Sequence, residues 1–264
     1  MPKVLYCRVL GGGPQCQQTV AFIHGFMGDH RDWLPIANEL ASPQVKVVLV
    51  DLPGHGSSPL GENPPRSFDE ASEIVWQTIA EHIQGSLTLV AYSLGGRIAC
   101  RIKAQHDSKI DRLVLESASF GIEDGLEREQ RYRKDQRLFS RVLEGQRTFY
   151  QFLNTWYQLP LFAALNESPD YSDMIVRRLE QDCGQLSASL AFFSVGCMEY
   201  SLKLANNWHG ELFYIAGDLD EKYSGIAKSL SSKWHVECIP KASHNVQAQK
   251  RPAYLTLLRN ILFS

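Results

Sequence analysis

The sequence has no run approaching the ~18 consecutive apolar residues of a membrane-spanning helix, which excludes membrane insertion of that kind. It has no excess of one charge either: 27 Lys plus Arg stand against 29 Asp plus Glu, a net charge of -2. Such a balance supplies no field for nucleic acid or an anionic membrane surface, so anion binding has to be local. The cysteines, Cys7, Cys16, Cys100, Cys183, Cys197 and Cys238, are scattered, with no C-x-x-C pair and no metal-ligand spacing. That argues against a metal site and against a disulfide framework. The opening MPKVLYCRVLGGG has too short an apolar run for the h-region of a secretory signal. A cytoplasmic protein with unpaired thiols is expected. Internal repeats and low-complexity linkers are missing as well, so solenoids and disordered arrays drop out.

What is present is an ordinary globular composition, 44% hydrophobic and 21% charged over 264 residues, enough for one large α/β unit. Short β-rich runs at 19–23, 45–50, 87–91 and 113–116 alternate with amphipathic stretches, the pattern of crossover connections in a mostly parallel sheet. Val45–Val50 is apolar at nearly every position, as in a strand covered on both faces. Ser67 followed by Glu70 predicts a capped helix whose buried face carries Ala71, Ile74, Val75, Thr78 and Ile79, ended by Gly85. Beyond Phe120 the character is helical: 126–146 is rich in Arg and Glu, and helical runs are predicted at 149–156, 172–183 and 186–193. The β/α alternation resumes with strands at 212–216 and 236–239 and helices at 226–234 and 252–262. This predicts an α/β core made of 1–120 and 208–264, interrupted by a helical cap at 121–207.

Chemistry concentrates at the ends of the predicted strands. Leu87-Thr-Leu-Val-Ala-Tyr-Ser93-Leu-Gly-Gly-Arg97 runs from an apolar strand through a small-residue turn into a helix at 98–104. That context holds a serine on a strained elbow with its hydroxyl above the sheet. Ala91 stands where the usual G-x-S-x-G pattern has its first glycine, a difference of one methyl group. A Ser-x-Gly turn alone is more often structural than catalytic, so its companions matter. His24-Gly-Phe-Met-Gly28 follows the strand at 19–23, where such folds place the second backbone donor of an oxyanion hole; the donors are assigned to the N–H groups of Phe26 and Leu94. His24 itself reads as a structural histidine, and Asp51-Leu-Pro-Gly-His-Gly-Ser57 as a structural turn. The orienting acid and the base follow the serine in chain order, Asp220 after the strand at 212–215 and His244 after 236–239. Asp218 competes with Asp220 for the acid role. His30, His82, His106, His209 and His235 lack a partner pattern and read as surface residues.

These residues resemble the α/β-hydrolase superfamily from Thr19 onward. His24-Gly-Phe-Met-Gly, Asp51-Leu-Pro-Gly-His-Gly, Tyr92-Ser-Leu-Gly-Gly-Arg97, Trp156-Tyr-Gln-Leu-Pro-Leu-Phe, Gly217-Asp-Leu-Asp-Glu-Lys-Tyr and Ser243-His-Asn together resemble the 2-succinyl-6-hydroxy-2,4-cyclohexadiene-1-carboxylate synthases of menaquinone biosynthesis. Arg97, the segment Arg131-Tyr-Arg-Lys-Asp135 and the Trp156 block separate that family from esterases of the same fold. The resemblance implies a lyase that eliminates pyruvate from a small polycarboxylate substrate through a Ser93–His244–Asp220 triad, without cofactor or metal. It places Tyr92, Arg97, Arg131, Trp156 and Arg178 at the substrate, with Arg177 the alternative register for Arg178. Arginine suits the task because its planar fork meets a carboxylate bidentately. Arg128, Arg133, Arg137 and Arg141 read as solvated surface. Two other readings stay open: an esterase or thioesterase for an acidic acyl substrate, and a non-catalytic binding protein on the same fold.

Overall fold

The structure, a computed structural model, describes residues 5–263; residues 1–4, on which part of the expectation about a secretory signal falls, and residue 264 lie outside the described residues. Seven strands form one sheet: β1 (Cys7–Gly11), β2 (Gln18–Ile23), β3 (Val45–Val50), β4 (Ser86–Tyr92), β5 (Arg112–Glu116), β6 (Glu211–Gly217) and β7 (Trp234–Ile239). Their spatial order is β1-β3-β2-β4-β5-β6-β7, and every pairing is parallel except that of β1 with β3. The strand order reverses between β2 and β4, so the chain leaves those two strands in opposite directions and opens a crevice beyond their C-terminal ends.

Helices cover both faces because alternate residues of the central strands are apolar in both directions. Ala21 and Ile23 of β2, with Leu89 and Ala91 of β4, join the core under α2 (Phe68–Ala80) and α3 (Leu94–His106). Val20 and Phe22, with Val90 and Tyr92, point the other way, to α1 (Leu34–Leu40) and the last helix. Between β5 and β6 the chain adds α4 (Gly125–Gln136), α5 (Ser140–Leu143), α6 (Phe149–Trp156), α7 (Tyr171–Leu179), α8 (Cys183–Phe193) and α9 (Leu202–Ala205). Several of these share a third core in which Phe139, Phe152, Leu153, Leu165 and Leu190 pack with Met27 of the main fold. After β6 come α10 (Glu221–Ser229), α11 (Val246–Gln249) and α12 (Arg251–Phe263). No helix among the described residues is long and apolar enough to cross a membrane.

The structure corrects several local expectations. Strand β1 and helix α1 were not predicted; β1 is an edge strand held by backbone pairing to β3, so its partly exposed side chains carry little apolar pattern. Ser67 does cap α2, its hydroxyl accepting from Glu70 N–H at 3.1 Å, but the helix ends at Ala80, and Gly85 (φ 68°) belongs to the turn into β4. The helix predicted at 226–234 lies earlier, as α10, because Asp220 caps its start and Trp234 begins β7. The stretch 172–183 is divided: α7 stops at Leu179, and Asp182 caps a new helix. The 126–146 stretch likewise breaks between α4 and α5.

Candidate active site

The nucleophile elbow follows from backbone strain and small neighbours. Ser93 sits at φ 53° and ψ -108°, a conformation unfavourable to an L-residue, between the end of β4 and the first turn of α3. Its N–H donates to Glu116 O at 2.9 Å, which ties the elbow to β5. Gly95 makes the turn possible: a Cβ there would lie 2.4 Å from Ile23 O and 2.6 Å from His24 O. Leu94 N–H opens α3 and is one of the amides that a helix start leaves without an intrahelical partner.

His244 Nε2 lies 2.9 Å from Ser93 Oγ, and its Nδ1 lies 2.8 Å from Asp220 Oδ2. Asp220 caps α10, and its other oxygen accepts from Tyr223 N–H at 3.2 Å, so one carboxylate serves the helix and the imidazole together. Asp218, the competing acid, is exposed and accepts from Lys241 N–H in the turn instead. The His244 ring is packed by Tyr92, Phe162 and Tyr223, and its backbone N–H donates to Leu161 O from the helical segment. Burial pulls its pKa below the ordinary histidine value, against the upward pull of the Asp220 hydrogen bond and charge. The ring is therefore neutral at pH 7, with Nδ1–H donating to Asp220 and Nε2 free to accept from the serine hydroxyl.

This trio faces a cavity of about 600 Å³, large enough for a substituted cyclohexene, between the sheet edge and the helical segment. Phe26, Tyr92, Leu94, Arg97, Arg131, Trp156 and Arg178 all line it with Ser93 and His244; Asp220 stands behind the imidazole. Arg97 donates from Nη1 to Phe193 O at 2.9 Å; burial lowers its pKa to about 10, with the nearby Arg131 adding to the fall, so it remains charged at neutral pH. Arg131 is held by Asp135 at 2.8 Å, and Asp135 in turn accepts from the Ser194 hydroxyl. Arg178 is buried and already paired, its two terminal nitrogens on Asp32 and its Nε on the Tyr157 hydroxyl. Arg177, the alternative register, also reaches Asp32 but lines a separate, smaller pocket. Arg133, Arg137 and Arg141 are exposed and Arg128 half-buried.

His24 is buried, with Nε2 accepting from Leu52 N–H at 3.0 Å and Nδ1 2.7 Å from Gly25 O, so both ring nitrogens are committed to holding its loop. Of the remaining histidines, His209 and His235 are exposed as expected, whereas His30, His82 and His106 are partly buried, and all five have partners. His30 is nearly buried against Asp51, His82 meets Cys7 Sγ at 3.2 Å, His106 stacks on Trp76 and bonds Glu73, His209 pairs with Asp107, and His235 stacks on Phe213. Their partners are distant in sequence, which is why no local pattern showed them. Asp29, His30 and Asp51 bring ligand atoms within 4.8 Å of one another. Their oxygens are occupied by Arg31, Gln181, Ser57 and the His30 N–H, which leaves a poor cation site. Sequence reasoning also passed over Lys222 and Tyr223 of the cavity wall, though both fall within the Gly217–Tyr223 motif. Asp32, which holds Arg178, carries no signal of its own, whereas Asp135, which holds Arg131, lies in the Arg131–Asp135 segment with no role assigned to it.

Residues 18–222 match the family described as alpha/beta hydrolase fold. A 2-succinyl-6-hydroxy-2,4-cyclohexadiene-1-carboxylate synthase from Enterobacter sp. (strain 638) is 32% identical over 244 residues, covering 92% of this chain and 91% of its own. The synthase of that name from Escherichia coli (strain K12) is 27% identical over 259 residues, covering 98% and 99%. Among solved structures, MenH from S. aureus superposes with a TM-score of 0.88 at 25% identity over 97% of both chains. A malate-bound esterase from Thermogutta terrifontis, at 18% identity and a TM-score of 0.76 over 98% of this chain and 92% of its own, shares the fold. The chain belongs to the α/β-hydrolase fold family and, within it, to the 2-succinyl-6-hydroxy-2,4-cyclohexadiene-1-carboxylate synthases.

Proposed function

We propose that this enzyme is a carbon–oxygen lyase of menaquinone biosynthesis. It eliminates pyruvate from 2-succinyl-5-enolpyruvyl-6-hydroxy-3-cyclohexene-1-carboxylate to give 2-succinyl-6-hydroxy-2,4-cyclohexadiene-1-carboxylate. The observation that carries this reading is the continuous hydrogen-bonded line from Asp220 through His244 to Ser93, facing a cavity whose wall bears Arg97 and Arg131. A polyanionic substrate needs those cations, and a neutral imidazole against the serine hydroxyl is the arrangement for proton abstraction.

In this reading His244 takes the proton of Ser93 Oγ, and the serine oxygen removes the ring proton beside the succinyl ketone. Negative charge develops on the ketone oxygen, where the N–H groups of Phe26 and Leu94 stabilise it. The electron pair shifts through the ring double bond and expels the enolpyruvyl oxygen. The imidazolium supplies the proton to the leaving group, which tautomerises to pyruvate, and the ring proton left on Oγ restores the hydroxyl. No step calls for a cofactor or metal, and no acyl-enzyme forms. Tyr92 and Trp156 form apolar walls for the ring, and Arg97 and Arg131 take carboxylates. Three of the five N–H groups of Arg178 are committed to Asp32 and Tyr157, so it offers the remaining two. Residues 121–207 serve as the cap over this chemistry, supported by the cavity positions of Arg131, Trp156 and Arg178. The six free thiols suit a cytoplasmic enzyme.

The test supplies the enolpyruvyl intermediate and follows pyruvate release together with ultraviolet absorption of the conjugated diene, with an aryl ester as a parallel substrate. Stoichiometric pyruvate and diene support the lyase. Ester hydrolysis without pyruvate release overturns it in favour of an esterase.

A further inference from the structure

Glu116 ends β5 in the middle of the sheet, fully buried, where an apolar residue would satisfy packing. Its main chain and its side chain hold opposite halves of the site. The carbonyl accepts from Ser93 N–H at 2.9 Å, and Oε1 accepts from Gln247 N–H at 3.1 Å, three residues beyond His244. It is also the register partner of Tyr92, whose ring packs on the His244 imidazole. Oε2 makes no hydrogen bond among the described residues, although the Tyr254 hydroxyl from α12 and the Val246 N–H also face the carboxyl.

We propose that Glu116 is a positioning residue for the Ser93–His244 pair, holding the base segment against the nucleophile elbow, and that it does so as the uncharged acid. This rests on the Ser93–His244 reading above. The titratable groups facing the carboxyl are the phenols of Tyr92 on β4 and Tyr254 on α12. Burial holds both well above the ordinary tyrosine range, so they are neutral. With no cation opposite among the described residues, burial outweighs the neighbouring donors and pushes the Glu116 carboxyl up to about 8, so the acid form prevails at neutral pH. Ionisation would set a negative charge beneath the oxygen that itself becomes negative during proton transfer, and would favour the imidazolium over the neutral base. Activity should therefore fall as the pH rises through that value.

The experiment compares wild type, Glu116→Gln and Glu116→Ala in two assays, pyruvate release across pH 6–10 and the rate of Ser93 labelling by a fluorophosphonate. Gln keeps an acceptor for Gln247 N–H and cannot ionise. Glu116→Gln is expected to keep kcat at pH 7 within about twofold and to lose the alkaline fall. Glu116→Ala is expected to slow both assays by about tenfold or more at nearly unchanged KM, since misplacing a reacting group by about 1 Å can cost up to about 10²-fold. A folded Glu116→Ala with wild-type rates overturns the proposal. So does a Glu116→Gln enzyme that retains the alkaline fall, which would then belong to a group such as Lys222; this variant decides the matter if Glu116→Ala does not fold. Wild type that labels but releases no pyruvate defeats the lyase reading alone, and the labelling rates still judge Glu116. Wild type that does not label defeats the Ser93–His244 reading and this proposal with it.

Discussion

Arg178 of α7 and Asp32 of the loop after β2 meet fork to fork, Nη1 to Oδ1 at 3.0 Å and Nη2 to Oδ2 at 2.6 Å. Both side chains are almost wholly buried, at 3% and 6% exposure. Burial opposes the guanidinium charge, but Asp32 beside it and the Tyr157 hydroxyl hold the arginine above its ordinary pKa. Removing one partner leaves an uncompensated buried charge, so Asp32→Ala should lower the unfolding free energy by ~3–5 kcal/mol. Urea unfolding measures it, and a loss below ~1 kcal/mol would show that the arginine reaches solvent once freed.

Ser93→Ala should abolish pyruvate release while leaving the substrate Kd nearly unchanged, because it removes a single oxygen from a preformed cavity. Calorimetric titration with the enolpyruvyl intermediate gives the affinity, and a coupled assay gives the rate. Turnover within about tenfold of wild type takes Ser93 out of the mechanism.

The acid limb of kcat/KM should lie below the ordinary histidine value of about 6.5. His244 must be neutral to accept the serine proton, and burial lowers its pKa despite Asp220. Rate is then retained as pH falls through 6.5 and is lost only below the depressed pKa. Asp220→Asn removes the upward pull of the charge and the correct tautomer with it, so it should cut kcat by ~10³-fold or more, read from a pH–rate profile. A wild-type limb well above 6.5 would mean that the Asp220 charge outweighs burial at the imidazole.

Arg97→Met and Arg131→Met should each lower kcat/KM by roughly 2–5 kcal/mol if a substrate carboxylate is left without its partner. Arg97 has a carbonyl as its protein acceptor and Arg131 a carboxylate, so the Arg97 change should cost the fold less than the loss of an ion pair. Steady-state kinetics at low ionic strength decide the point. An unchanged kcat/KM for Arg131→Met would place that arginine among the solvated residues of α4.

Glu116 also predicts a pH dependence of stability. Below pH 4.5 both native and unfolded chains hold the proton; between 4.5 and about 8 only the native chain does. Wild-type stability therefore falls as pH rises across that window, by up to ~1.4 kcal/mol per pH unit before other groups are counted. Glu116→Gln lacks that contribution, so its unfolding midpoint should gain on wild type from pH 5 to 8. Parallel midpoints for the two proteins would mean that Glu116 ionises normally.

The elbow, the late Asp and His and the central parallel strands were legible because each depends on local chemistry. The strand at 87–91 needs apolar residues on both faces, the turn at 93–96 needs small ones, and the acid at 220 doubles as a helix cap. Edge strand β1 and the partners of His30, His82, His106 and His209 were not legible, since backbone pairing and distant contacts leave no periodic trace.

The sequence by itself determined the alternation that makes a doubly covered parallel sheet and the residue types gathered at its C-terminal edge, because hydrophobic period and turn chemistry act over a few residues. Tertiary structure decided which charges are free. It chose Asp220 over Asp218 for His244, bound Arg178 to Asp32 and Arg131 to Asp135, gave Arg97 a carbonyl but no carboxylate among the described residues, and buried Glu116 between the nucleophile and base segments. Those outcomes turn on desolvation and on distances between side chains up to 146 residues apart, quantities that exist only once the chain has folded.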